Sequence, residues 1–109
     1  MSGRQSYLGE FEQIALLAVA RLKDEAYGMG VRAEIAERTG RAVTIGAMYA
    51  TLDRLEAKGY LRSHDDAPEG RPRRFFALTA EGVQALETAR DLQQRMWAGL
   101  RLPRVARRS

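Results

Sequence analysis

Arg71, Arg73 and Arg74 crowd a turn-rich stretch and form the chain's most conspicuous cationic grouping. Arginines at a loop tip suit phosphate oxygens or a narrow minor groove, although Asp65, Asp66 and Glu69 share the loop and a plain charged turn would look the same. Other chemistries are poorly supplied. With no Cys, disulfides, thiol nucleophiles and Cys-based zinc sites are excluded. One His, His64, is too few for a His-rich metal cage within one chain, and next to this loop it reads as a solvated residue. There is no Gly-rich phosphate loop, and the carboxylates sit in charged surface patterns. Nothing is left to act as an activated nucleophile or tuned acid–base pair. The expectation is a binding protein with no catalytic residues, cofactor or metal.

Net charge does not identify the partner. The 109 residues hold 18 Lys and Arg against 14 Asp and Glu, a formal +4. Arg101, Arg104, Arg107 and Arg108 supply that whole excess, since residues 101–109 contain no acid. The protein reads as a neutral body with a basic tail, so DNA binding must be argued from where charges sit. A content of 45% hydrophobic and 29% charged residues, with 10 Gly and 3 Pro, is that of a globular domain. The longest strongly apolar run, Ile14 to Ala20, falls far short of the roughly 20 residues that cross a bilayer. Met1 to Ser6 lacks the apolar core of a signal peptide. A small, soluble, cytoplasmic protein with no membrane partner is expected.

The elements that must carry the arginines follow from periodicity. Leu8 to Leu22 reads as a helix, with Phe11, Ile14, Ala18 and Leu22 on one face and Leu16, Leu17 and Val19 widening it. So apolar a helix needs cover on two sides, one of which a second subunit can supply. A second helix opens at Tyr27-Gly28 and stops at Thr39-Gly40; Met29, Val31 and Ile35 are its apolar contacts, while Arg32, Glu34, Glu37 and Arg38 face water. Thr44 is placed to cap a third helix, which Gly59 ends. Ile45, Met48, Leu52 and Leu55 share one side of it. Tyr60–His64 and Arg74–Leu78 read as strands around the turn Asp65–Pro72. Thr79 then caps a last helix, Ala80 to about Leu100, with Val83, Leu86, Ala89, Leu92, Met96, Trp97 and Leu100 as its apolar members.

Three helices followed by a hairpin make a winged helix-turn-helix, mainly α with a small β-hairpin, in which the third helix enters the major groove and the wing reaches neighbouring backbone. At about 100° per residue, the side opposite the apolar row carries Gly46, Ala47, Ala50, Asp53 and Arg54, with Tyr49 and Thr51 at its edges. Small residues there permit close approach to base edges, and Thr44 with the helix N-terminus can donate to phosphate. Arg54 can reach a guanine or a phosphate, and Tyr49 a phosphate or a thymine methyl. The plainer alternative makes Gly46, Ala47 and Ala50 simple spacers and Arg54 a solvated side chain.

Four segments resemble the PadR family of transcriptional regulators. The stretch TGRAVTIGAMYATLDRLEAKGYL from Thr39 is similar to the family's recognition-helix segment: a Thr cap, the Met48-Tyr49 pair, Leu52, Leu55, then Lys-Gly-aromatic-Leu. Leu8 to Gln13 resembles the opening helix, Tyr27-Gly28 the entry to the second, and Gly70 to Gly82 the wing and following cap. Phe75-Phe76 stands where the family more often has tyrosines. The resemblance spans about residues 8–90 and is to small members with one final helix.

That resemblance implies a homodimeric repressor on double-stranded DNA, Tyr27 joining the DNA-facing set, with first and last helices building the dimer. The residues so implied are Phe11, Ile14, Leu17, Leu86, Ala89, Leu92, Met96, Trp97 and Leu100. Recognition helices roughly 34 Å apart would then meet a pseudo-palindrome with half-sites about 10 bp apart. Trp97 beside Met96 reads as interface packing, or as a slot for a planar aromatic effector. The expected organisation is an N-terminal arm (1–7), a winged helix-turn-helix domain (8–79), a C-terminal dimerisation helix (80–100) and a disordered basic tail (101–109), the tail being either a nonspecific DNA anchor or a solvated end. The competing function is a winged-helix protein-interaction module that does not bind DNA.

Overall fold

A computed structural model of the chain describes residues 7–106. The helices are α1 (Glu10–Leu22), α2 (Gly28–Thr39), α3 (Ile45–Ala57) and α4 (Ala80–Trp97); the hairpin strands are β1 (Leu61–Asp66) and β2 (Arg73–Leu78). Each boundary has a local cause. The helix expected from Leu8 begins at Glu10, because Gly9 takes the cap position and donates its N–H to Glu12 Oε1 at 2.9 Å. α2 stops at Gly40, whose φ of 72° suits a residue without Cβ. Thr44 caps α3 by accepting the Ala47 N–H at 3.1 Å, and Thr79 caps α4 by accepting that of Gly82 at 3.0 Å. α4 ends at Trp97, so Leu100 lies beyond it, past Gly99.

The hairpin pairs antiparallel from Leu61 opposite Leu78 to Asp66 opposite Arg73. Its strands start one residue later (β1) and one earlier (β2) than the alternation predicts, and β1 extends to Asp66. A third segment joins the sheet: Tyr27 bridges Phe75, and the Phe76 N–H donates to Ala26 O at 2.8 Å. The wing is thereby tied to the entry of α2.

One core gathers Leu16 and Val19 from α1, Val31 and Ile35 from α2, Met48, Leu52 and Leu55 from α3, Leu61 from β1 and Phe76 from β2. Each such side chain contributes about 1.5–3 kcal/mol of burial. The inner face of α1 is Ala15, Leu16, Ala18 and Val19, which keeps only Ala18 of the predicted row of Phe11, Ile14, Ala18 and Leu22. Phe11, Ile14 and Leu22 lie half-buried at its edges, and Leu17 points outward. Met29 is likewise exposed, while Arg32, expected in water, is half-buried and donates to Val43 O across the turn between α2 and α3.

α4 touches the body chiefly through its first half. A Cβ on Gly82 would sit 2.2 Å from Tyr60 O, so only glycine lets the helix approach this closely. Leu86 packs on the core, but every described residue from Arg90 onward is exposed. The radius of gyration, 16.6 Å, exceeds the about 13 Å of a compact 100-residue domain.

Candidate nucleic-acid interface

The N-terminal turn of α3 is open. Ile45, Gly46, Ala47 and Ala50 are exposed, and a Cβ on Gly46 would meet nothing within 4 Å. Thr44 engages the Ala47 N–H and the Met48 N–H returns to Thr44 O, which leaves the amides of Ile45 and Gly46 for an outside acceptor. Ile45 departs from the sequence reading: at 50% exposure it stands clear of Met48, Leu52 and Leu55, all fully buried. It lies in the first turn, before the helix reaches the core.

Three other candidates on α3 have partners within the chain. Thr51, placed at the edge of the outer face, is 4% exposed. It lies three residues after Met48 and four before Leu55, on the core side, and its hydroxyl accepts from Arg54 at 3.4 Å. Tyr49 is half-buried: its ring covers Gly28, where a Cβ would come within 2.3 Å of the hydroxyl. Arg54 is half exposed, and its Nε donates to Glu12 Oε2 at 3.1 Å.

Glu12 is a functional-scale feature that periodicity did not flag. This carboxylate is 7% exposed and lies on the inner face of α1. It accepts the Gly9 N–H, Arg54 Nε and, at 2.8 Å, Lys58 Nζ, so α1 is pinned to the C-terminal half of α3. Burial pushes its pKa upward, but the hydrogen bonds from Lys58, Gly9 and Arg54 outweigh it and bring the group down to about 2. A Glu three residues after a helix cap, on the face of Leu16 and Val19, was the available signal.

The wing arginines divide. Arg71 is exposed at the loop, and among the described residues it forms no ion pair. Arg73 lies with its guanidinium 4.0 Å from the centre of the Tyr27 ring, a cation–π contact that leaves its charge uncancelled. Tyr27 itself is half-buried, edge-on to Phe75 at 5.8 Å, and His64, the cross-strand partner of Phe75 on the same face, stacks on that ring at 5.7 Å. Arg74, expected at a phosphate, is engaged within the chain. It pairs with Asp53 Oδ1 at 2.8 Å and with Glu56 of α3, and its Nε reaches Ser63 Oγ at 3.2 Å. The two acids raise its pKa against the opposing effect of burial, while Glu56 is lowered, first by the Ser63 hydroxyl and then, against some burial, by Arg74.

An exposed helix N-terminus beside a hairpin with free arginines is the layout of a winged helix, and residues 16–88 match the profile of the Transcriptional regulator PadR-like family. The chain belongs to that family. Transcriptional regulator Rv3488 of Mycobacterium tuberculosis is 39% identical over 72 residues, 65% of this chain and 66% of that protein. The match thus spans slightly under two thirds of the relative. A solved PadR family transcription regulator from hypervirulent Clostridium difficile R20291 is 26% identical, with a TM-score of 0.66 over 79% of this chain and 88% of that one. F93 from STIV, described as a winged-helix DNA-binding protein, shares the fold at 22% identity, with a TM-score of 0.67 over 86% of this chain and 98% of its own. The fold that goes with this membership is the winged helix.

In this PadR-like chain, α4 and the start of α1 border a groove of about 560 Å³ lined by Leu8, Tyr60, Ala85, Ala89, Leu92 and Met96 among others. Met96 is 78% and Trp97 53% exposed, and Trp97 is not among the groove's walls. No helix among the described residues is long and apolar enough to cross a membrane. The arm, apart from Tyr7, and Arg107 and Arg108 of the tail lie outside the described residues.

Proposed function

We propose that this protein is a cytoplasmic, homodimeric DNA-binding repressor that recognises a pseudo-palindromic operator. The observation that carries the reading is the open N-terminal turn of α3, with Ile45 and Gly46 amides free, beside a wing whose Arg71 and Arg73 have no acidic partner in ion-pair range among the described residues. Amides and dipole at such a terminus favour phosphate, small residues allow base edges close, and Ile45 offers an apolar surface to a thymine methyl. Thr44, Gly46, Ala47 and Ala50 complete this face, while Tyr27 holds Arg73 in place. Dimerisation is supported by the apolar groups that α1 and α4 leave uncovered: Leu17, Leu92, Met96 and Trp97 on exposed faces, with Phe11, Ile14, Leu86 and Ala89 half-buried beside them. The exposed Trp97 ring would be the place to look for release by a planar aromatic effector.

The test is fluorescence anisotropy of the full chain with a random-sequence duplex and with duplexes selected from a random pool, across a salt series. Binding should weaken linearly in log–log form, and Arg71→Ala and Arg73→Ala should each reduce the slope by about 0.9. No salt-dependent retention of either duplex would overturn the reading.

A further inference from the structure

Neighbouring arginines on β2 face opposite ways, because side chains alternate along a strand. Arg73 shares the outer face with His64, Asp66 and Phe75, whereas Arg74 shares the inner face with Ser63 and the buried Phe76, over whose ring its guanidinium lies at 4.8 Å. From there it meets Asp53 and Glu56, three residues apart on one side of α3. Ser63 Oγ closes the arrangement by donating to Glu56 Oε2 at 2.7 Å while accepting from Arg74. Three elements, α3, β1 and β2, thus converge on one planar cation, whose fixed fork of donors can hold two carboxylates at a set separation.

These groups are only partly buried: the side chains of Arg74, Asp53 and Glu56 are 36%, 59% and 32% exposed. Such pairs add little to global stability. Their geometric effect is larger, since the cluster joins α3 to the wing strand just where that strand leaves the core.

We propose that Arg74 is a positioning residue that sets the spacing between the recognition helix and the wing, and through it the ability to tell a selected site from random DNA. The inference rests on the DNA-binding reading and refines it. Asp53 and Glu56 then have a purpose on a helix that approaches phosphates: they anchor the fork.

Two variants separate this from a simple phosphate contact: Arg74→Gln, and Asp53→Asn with Glu56→Gln. Each full-length variant is measured by anisotropy on the duplex selected with the unsubstituted protein and on a random-sequence duplex, over the same salt series, with circular dichroism melting to confirm folding. Arg74→Gln should lower affinity for the selected duplex about tenfold, the scale of one spoiled base contact. Its affinity for random DNA and its salt slope should stay unchanged. Removing two acids should by charge alone tighten binding; the double variant should instead lose discrimination between the duplexes as Arg74→Gln does.

A slope shallower by about 0.9 in Arg74→Gln would make Arg74 a phosphate contact and overturn the proposal. Tighter binding of the selected duplex by the double variant, or discrimination intact in either variant, would overturn it as well. Failure of the unsubstituted chain to retain any duplex would instead remove the DNA-binding reading and the proposal with it.

Discussion

Replacing Glu12 by Gln tests whether one buried carboxylate couples α1 to the recognition helix. Its pKa falls from 4.5 to about 2 in the folded chain, and at 1.36 kcal/mol per unit this corresponds to about 3 kcal/mol of stability. Arg54 and Lys58 side chains are 50% and 31% exposed, so solvent screens the pairing and about 2 kcal/mol is the expected loss at neutral pH. Gln keeps an acceptor for the Gly9 N–H but turns its own N–H groups toward two cations. For a domain of this size the Tm should drop by about 8–15 °C.

The pH dependence fixes the mechanism. Because the folded-state value lies below the unfolded one, the contribution is complete above about 4.5 and fades as pH falls toward about 2. Urea unfolding followed by circular dichroism, at one protein concentration from pH 7 to pH 2, should therefore show the two proteins converging at the acid end. Glu56 also titrates below its ordinary value, but it is present in both proteins and cancels in the difference. A gap that stays constant across this range, or equal stabilities at pH 7, would refute the argument.

Three further substitutions probe separate links. Gly82→Ala should destabilise the chain by about 1–3 kcal/mol in urea, despite alanine's better helix propensity, because the new Cβ meets Tyr60 O at 2.2 Å and Leu78 Cδ2 at 3.1 Å. Thr44→Ala removes the acceptor of the Ala47 N–H and should cost about 1 kcal/mol in the same assay. Leu92→Glu combined with Met96→Glu alters exposed positions, so melting at low protein concentration should be little changed, while sedimentation should show the proposed dimer replaced by single chains.

The fold was readable because its signals are short-range. Thr44 and Thr79 are caps, Gly40 takes the left-handed position, and the spacing of Met48, Leu52 and Leu55 marks the buried side of α3. Errors arose where a pattern was read one position off, or where a polar group faced inward. The widely apolar α1 offered several candidate faces, and the chosen row of Phe11, Ile14 and Leu22 proved to be its margin. Thr51 and Tyr49 lie on angles that a helical wheel leaves at the boundary, and only packing against the core and Gly28 decides them. Charge was the least legible property, since Arg54 and Arg74 find acids 42 and 21 residues away in sequence. Even so, one clue was local: two residues before the core Phe76, Arg74 had to share its face.

The neutral body inferred from composition is neutral unevenly. Glu12, Asp53 and Glu56 are matched by Arg54, Lys58 and Arg74 in ion pairs that all involve α3 or reach it. Three acids and three cations cancel within one connected region, so the C-terminal half of the recognition helix presents little net field. Its charges orient the helix between α1 and the wing instead of attracting a ligand. In the proposed reading, attraction is left to groups outside these clusters: the α3 amides and Arg71 and Arg73, the last opposed across the ladder by Asp66. A charge therefore bears on DNA only after its intramolecular partner is known, and an Arg count along α3 and the wing overstates the cationic surface by the two arginines that hold the helix in place.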